Sequence, residues 1–202
     1  MPSQAPRMGR PRDSQIDQAV LLAARELLTE TGYTRVTMDA TAARAGVGKA
    51  AIYRRFGSKA ELLFAAAVHG MDIEPPPDSG SLRDDLRAMA RVIHERLSSP
   101  AAREVIPALL AEMSRDAELA ARLRNTFVAR ERRDLAAIIE RALQRGELHR
   151  APDPALAHML LGGPLFLALL VLPSPMNGAQ LDVVASVVAA GLIAHADEAP
   201  AD

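Results

Sequence analysis

The 202-residue chain contains no cysteine and no tryptophan, and its aromatic side chains are limited to four Phe and two Tyr. Without cysteine there is no disulfide, no zinc–thiolate site and no thiol nucleophile, and the composition suits a reducing cytoplasm. The five histidines, His69, His94, His149, His158 and His195, never stand three or four residues apart, so no helix face carries a local metal pair. Strand-like alternation of convincing length is missing, as are internal repeats. Also missing are the G-x-S-x-G elbow, H-E-x-x-H, G-x-G-x-x-G and a complete phosphate loop, which removes the common enzyme signatures. No Lys or Arg follows Arg150. That bears on Ala155 to Leu172 (ALAHMLLGGPLFLALLVL), which has the length of a membrane span only by including His158, Gly162, Gly163 and Pro164. With no basic cluster to anchor a flank, the run reads as a helix buried against protein. The basic N-terminus has no apolar stretch behind it and is not a secretory signal.

What is present is divided by charge. The formal net charge is −1, yet residues 1–60 hold 10 Lys+Arg against 5 Asp+Glu, and the remainder 14 against 20. A front end of +5 on a body of −6 is the footprint expected when one end docks on phosphates. It favours a DNA partner over a helical adaptor that binds only protein.

The strong periodicities are all helical. Residues 1–13, rich in Pro, Arg, Ser and Gln, read as a flexible arm. A first helix runs from about Ser14 to Thr31, with Ile16, Val20, Ala23, Ala24, Leu27 and Leu28 inward and Gly32 as its stop. Thr37 caps a second helix. Gly46-Val47-Gly48 separates it from a third, Lys49 to Phe56, and Val47 is placed to plug between the two. Ser58-Lys59-Ala60-Glu61 has the capping-box pattern and opens a fourth helix to about Gly70. Met71 to Ser81, with three consecutive prolines, is the clearest boundary. Beyond it lie Leu82 to Leu97, a shorter helix with Val105, Leu109, Met113 and an internal Pro107, a long helix from Asp116 to about Arg145, the apolar helix after Pro154, and a last one from about Ala179 to His195. The chain is therefore all-α. Its units read as the arm 1–13, residues 14–70 and residues 82–196.

Two short helices joined by a tight glycine turn form the layout of a helix-turn-helix, whose second helix enters the DNA major groove. The wording is also ordered: Ala42, Ala45, Gly46 and Val47, then Ile52, Tyr53 and Phe56, then Ser58, Lys59, Glu61 and Leu62. This resembles the DNA-binding domain of TetR-family transcriptional regulators, over about 30 positions. The resemblance implies an N-terminal helix-turn-helix domain plus a C-terminal helical domain for ligand binding and dimerisation. It places Gly48, Lys49, Ala50 and Ala51 in the groove, with Arg44 beside them. Lys49 and Arg44 are the long donors able to reach guanine O6 and N7. Thr37, Tyr53, Arg55 and Lys59 are carried over as phosphate contacts, with Arg54 next to them. The chain departs from the family at Gly48 (commonly Ser or Thr), Arg55 (commonly His), Thr41 (usually aliphatic) and Ala51 (usually Thr), which leaves its base preference open. Arg10 and Arg12 could lie in a minor groove; the alternative is a solubilising tail.

For the second half, the resemblance implies a homodimer acting on a palindromic operator and released from it by a small molecule, in the manner of a repressor. Met89, Ile93, Leu109, Met113, Leu123, Phe127 and Phe166 are the candidates to line a ligand cavity. The final helix pair is the candidate dimer surface, through Leu161, Leu165, Leu169, Ala185, Val188, Ala189 and Leu192. The other reading is that both helices are buried within one protomer. No cofactor, metal or membrane partner is expected.

Overall fold

The computed structural model describes residues 10–69, 76–172 and 174–197, with the side chains of residues 10–13 and 69 excluded. Among these residues every regular element is helical. They are α1 (Arg10–Arg35), α2 (Met38–Ala45), α3 (Lys49–Tyr53), α4 (Lys59–Phe64), α5 (Leu82–Ser98), α6 (Pro100–Met113), α7 (Ala117–Leu123), α8 (Ala129–Gln144), α9 (Pro154–Phe166) and α10 (Gly178–Asp197). Single π-helical turns extend α4 (Ala65–His69), join α7 to α8 (Arg124–Val128) and extend α9 (Leu167–Val171).

Local chemistry accounts for most of the helix ends. Thr37 accepts a hydrogen bond from the Ala40 N–H, Ser58 from Glu61, Ser81 from Asp84 and Ser99 from Ala102, so four of these helices begin on a hydroxyl cap. Pro100 and Pro154 occupy first-turn positions, where the missing N–H leaves nothing unpaired. The expected stop at Gly32 is a break inside α1 (φ 74°, ψ 163°). At the other end α1 begins at Arg10, so residues 10–13 are helical and do not belong to a flexible arm. Pro11 sits in the first turn, where it is tolerated. Residues 1–9 lie outside the described part. The third helix is shorter than expected, because Arg55 N–H tightens onto Ile52 O at 2.9 Å.

The core is built in three connected patches. Val20, Ala24, Leu28, Met38, Ala42, Ile52, Leu62 and Leu63 join α1 to α4, and Ala102, Val105 and Ile106 of α6 complete the same patch. The helix-turn-helix region is thus closed by a helix from beyond the proline boundary. A second patch, from Leu86 through Leu135, Ile138 and Leu161 to Leu192, joins α5, α8, α9 and α10. A third links Ala60 to Leu109, Leu119 and Leu123. Arg25 adds a polar tie, donating to Ala66 O at 3.0 and 3.2 Å and so fixing α1 on the turn after α4.

All seven residues expected at a dimer surface, Leu161, Leu165, Leu169, Ala185, Val188, Ala189 and Leu192, are buried within the protomer, none more than 6 % exposed. Six of them, all but Leu169, belong to the core shared by α5, α8, α9 and α10, and a side chain buried in its own protomer offers no docking surface, which corrects the expectation. Both α9 with its following turn and α10 are long and apolar enough to cross a bilayer. In the fold each buries one face against its neighbours and leaves the opposite apolar face open.

The segment before α5 is held by charge. Asp85 is fully buried, and its Oδ1 accepts from the Ser79 N–H (2.8 Å) and Oγ (2.6 Å). Its Oδ2 meets Arg145 at 3.3 Å and Arg141 at 3.5 Å. Arg145 also reaches Asp78 and Glu147, and Glu147 accepts the Leu82 N–H, one of the free donors at the start of α5. Burial pushes the Asp85 carboxyl up, but the Ser79 hydrogen bonds and the two guanidinium groups outweigh it and hold the carboxyl below its ordinary value. A depressed carboxyl contributes stability that is full above its unfolded pKa, about 4, and is lost as pH falls through the folded value. Asp85→Asn is therefore expected to lower stability at neutral pH by roughly 2–3 kcal/mol, and to shrink the difference between neutral and pH 3. Thermal unfolding at both pH values checks this; equal melting temperatures for variant and wild type at pH 7 would contradict it.

Candidate nucleic-acid interface and internal cavity

The α2–α3 turn is set by one backbone geometry. Gly46 is left-handed (φ 66°, ψ 29°), and its N–H bonds to Ala43 O while the Val47 N–H bonds to Ala42 O at 3.0 Å. This paired closure needs a residue without a Cβ penalty at position 46. It swings Val47 onto the core of the unit, as expected. Ile52, fully buried, anchors α3 from beneath. The outer side of α3 then carries Gly48, Lys49, Ala50, Tyr53 and Arg54, all exposed, with Ala51 half-buried. Thr37 is exposed at the start of α2, its hydroxyl accepting from Ala40.

The structure arranges the candidate cations unevenly. Arg44 lies against α1, with Nη1 and Nη2 each 2.8 Å from a Glu30 oxygen and Glu26 at 3.4 Å. That fork lowers the Glu30 carboxyl and raises the guanidinium. Lys49 pairs with Asp39 of α2, which raises the ammonium. Arg55 is 84 % withdrawn from solvent at its side chain; it pairs with Asp17 and donates to Ala51 O at 3.0 Å. It ties α1 to α3, so its use as a phosphate contact is corrected to a structural one. Lys59 donates to Tyr33 O (2.8 Å) and Thr34 O (3.3 Å) and lies over the Tyr33 ring, leaving one ammonium N–H uncommitted. The Arg54 side chain is exposed and, among the described residues, makes no hydrogen bond or ion pair. The same holds for Arg35, just before Thr37, a cation that the sequence reading passed over. Its only local signal is its place two residues ahead of a helix cap. The side chains of Arg10 and Arg12 lie outside the described part.

Exposed ion pairs such as Arg44–Glu30 and Lys49–Asp39 are weak and salt-screened, so phosphates or base edges can replace the carboxylates. Among the described residues the surface therefore offers two free cations for positioning, Arg54 and Arg35, and two exchangeable ones, Arg44 and Lys49.

A cavity of about 480 Å³ opens between this unit and the remaining helices. Six of the seven expected residues line it: Ile93, Leu109, Met113, Leu123, Phe127 and Phe166. Met89 does not; it is 1 % exposed in the α5–α8–α10 core. Phe64 and Val68, from α4 and its π turn, also form the wall, and Phe64 meets Phe127 edge-to-face at 5.0 Å. The sequence reading missed the polar members Arg96, Glu131 and His158, and Gly162 and Gly163 line the cavity beside them.

Comparison with known proteins agrees with this architecture. Residues 20–66 match the family described as "Bacterial regulatory proteins, tetR family". Residues 76–198 match "Tetracyclin repressor-like, C-terminal domain". The HTH-type transcriptional regulator YdeS of Bacillus subtilis is 35 % identical over 172 residues, spanning 84 % of this chain and 85 % of its own. The DNA-binding transcriptional repressor TetR of Mycobacteroides abscessus is 33 % identical over 159 residues, spanning 73 % and 83 %. The crystal structure of the TetR family transcription regulator SCO0332 superposes with a TM-score of 0.74 at 25 % identity, covering 88 % of this chain and 98 % of that one.

Two substitutions separate free from exchangeable cations. Arg54→Ala is expected to weaken binding to duplexes of any sequence and to reduce the slope of log affinity against log salt by roughly 1. Asp39→Asn is expected to strengthen binding, because Lys49 loses its competing carboxylate. Anisotropy titrations at several salt concentrations check both. An unchanged slope for Arg54→Ala would remove that residue from phosphate contact.

Proposed function

From the premise that the chain belongs to the TetR family of transcriptional regulators, we propose that it works as a cytoplasmic homodimeric repressor released from a palindromic operator by a small molecule. It is a DNA-binding regulator, and its relatives are regulators, not enzymes. Residues 14–70 are read as the DNA-binding unit and residues 82–196 as the regulatory and dimerising one. Thr37, Lys49, Ala50, Tyr53, Arg54 and Lys59 are assigned to DNA, with Lys49 as the base reader. Arg44 joins them by exchange.

The observation that carries the ligand-released reading is the cavity wall. Phe64 and Val68 belong to α4 and its turn, which pack on α1 and follow directly from the turn after α3. Anything that fills the cavity presses on the helix that orients α3. An occupant and an operator that prefer different positions of α4 then exclude each other, which is linkage between two sites. The relative from Mycobacteroides abscessus, a repressor, supports the sign of regulation.

Dimerisation is supported by the faces left open on the last two helices. Leu160, Leu167, Val171 and Leu172 follow one side of α9 and its turn, and Val183, Val187 and Ile193 one side of α10, each at least 36 % exposed. Gly163, Ala190, Gly191 and Ala194 are exposed among them and allow close helix approach. An apolar patch of this extent marks an interaction surface, and two such helix pairs form a four-helix bundle.

Val187 is 66 % exposed, so Val187→Arg leaves the protomer core intact. The variant is expected to sediment as a folded monomer and to lose high-affinity DNA binding; a variant that remains dimeric would move the interface elsewhere. Selection of bound duplexes from a random DNA pool at about 0.15 M salt is expected to return an inverted repeat with half-sites one helical turn apart. Enrichment of single, unpaired sites, or none, would contradict the two-fold reading.

A further inference from the structure

Among the described residues that line the cavity, only Arg96 of α5, Glu131 of α8 and His158 of α9 carry polar side chains, 3, 16 and 19 % exposed. They are turned on one another. His158 Nε2 and Glu131 Oε2 are 2.7 Å apart, a full hydrogen bond, and Arg96 Nη1 forms an ion pair with Glu131 Oε1 at 3.9 Å. Each of these two buried charges therefore has the opposite charge beside it. A carboxylate brought to Arg96 would enter the field of Glu131, and an ammonium brought to Glu131 that of Arg96. Either ion would also give up its water without gaining a partner of its own. The polar corner is closed on itself.

The remaining side chains of the wall are hydrocarbon, from Phe64 of α4 through Ile93 of α5, Leu109 and Met113 of α6 and Phe127 of the π turn to Phe166 of α9. Gly162 and Gly163 of α9 complete the lining. A Cβ at either position would meet nothing within 4 Å, so no neighbour requires glycine there. Glycine is the poorest helix former after proline, and here it stands inside a helix without a packing reason. What the pair provides is room against an apolar wall. At about 30 Å³ for each water-sized group, a chamber of about 480 Å³ holds roughly 16 non-hydrogen atoms.

Resting on the reading of this cavity as the effector site, we propose that it takes an uncharged lipophilic molecule of up to roughly 16 non-hydrogen atoms and excludes carboxylate and ammonium amphiphiles of the same length. Affinity comes from hydrocarbon moved out of water onto the apolar wall, about fourfold for each methylene buried. Selectivity comes from the hydration that a charged head loses and does not recover beside an ion pair already formed.

The test uses the full-length protein with 1-octanol, 1-decanol, decanoate and decylammonium, below micelle-forming concentrations, by calorimetric titration at neutral pH. Decanol is expected to bind about tenfold or more tighter than either ion, and to exceed octanol by about fourfold per added methylene. Gly162→Leu fills the chamber from a position with open space, and Met113→Trp fills it from α6. Each should weaken decanol binding about tenfold or more and leave helical circular dichroism unchanged. Equal or tighter binding of either ion would overturn the proposal, as would undiminished decanol binding in either folded variant or no binding of the alcohols at all. DNA affinity is measured in parallel. Decanol binding with the expected selectivity that leaves DNA affinity unchanged would sustain the ligand class and sink the effector reading instead.

Discussion

Glu61 enters α4 as its third residue and is only 4 % exposed, so its carboxylate has surrendered nearly all of its water. A charge in that position needs close partners, and it has two kinds. The Gly57 N–H donates to Oε2 at 2.7 Å, and Arg122 of α7 reaches Oε1 through Nε (3.4 Å) and Oε2 through Nη2 (3.1 Å). The capping box therefore closes one residue earlier than the pattern specifies: Ser58 takes the Glu61 N–H, but the Glu61 side chain returns to Gly57 instead of Ser58. A Cβ at Gly57 would stand 2.2 Å from Arg122 Nη2, so the close approach of the guanidinium depends on glycine at that point. Breaking a buried pair of this kind leaves an uncompensated charge, on the order of 3–5 kcal/mol, less here because Arg122 is partly solvated. Through it, the turn after α3 is fixed to the helices beyond the proline boundary.

The rest of the molecule is organised around that junction. Ala60, next to Glu61, packs with Leu109, Leu119 and Leu123, and α6 lends Ala102, Val105 and Ile106 to the core beneath the helix-turn-helix. The Tyr33 N–H donates to Glu104 of α6, so the break at Gly32 is tied to the same helix. The DNA-facing unit is thus not a bead on a string. Its orientation is decided by contacts that also border the cavity. On its outer surface the opposite rule applies, since Arg44 and Lys49 are held only by exposed, exchangeable carboxylates. Strong coupling inside and weak coupling outside is what a surface that docks and releases requires.

How much of this could be read from the chain depended on range. The α2–α3 unit was legible because its signals are local: Gly46 for the left-handed turn, Thr37 and Ser58 as caps, Val47 as the plug. The apolar lining of the cavity was largely legible from helix faces, although Met89 shares the face of Ile93 and ends up in the deeper core. Three things were not. Asp17 and Arg55 lie 38 positions apart, and no local pattern reveals that the arginine is occupied. Arg96, Glu131 and His158 come from three helices, so no spacing announces them as one site. The inward sides of the last two helices were misread for a different reason: α9 and α10 are apolar nearly all round, and composition does not say which side turns inward. Packing against α5 and α8 decides that, and it selected Leu161, Ala185 and Leu192 for the core while leaving Leu167 and Val187 outside.

The central claim is that the Glu61–Arg122 junction sets the position of the helix-turn-helix relative to the body, and through it the separation of the two recognition helices in a dimer. The chain has no native cysteine, so Ala43→Cys, exposed on α2, provides a unique spin-label site. Inter-label distances would be measured by pulsed electron paramagnetic resonance in this background, with and without Arg122→Gln. The account predicts one narrow distribution for the parent and a broadened or shifted one when Arg122 is changed, with secondary structure intact. The same narrow distribution in both proteins, or no inter-label distance at all, would contradict it.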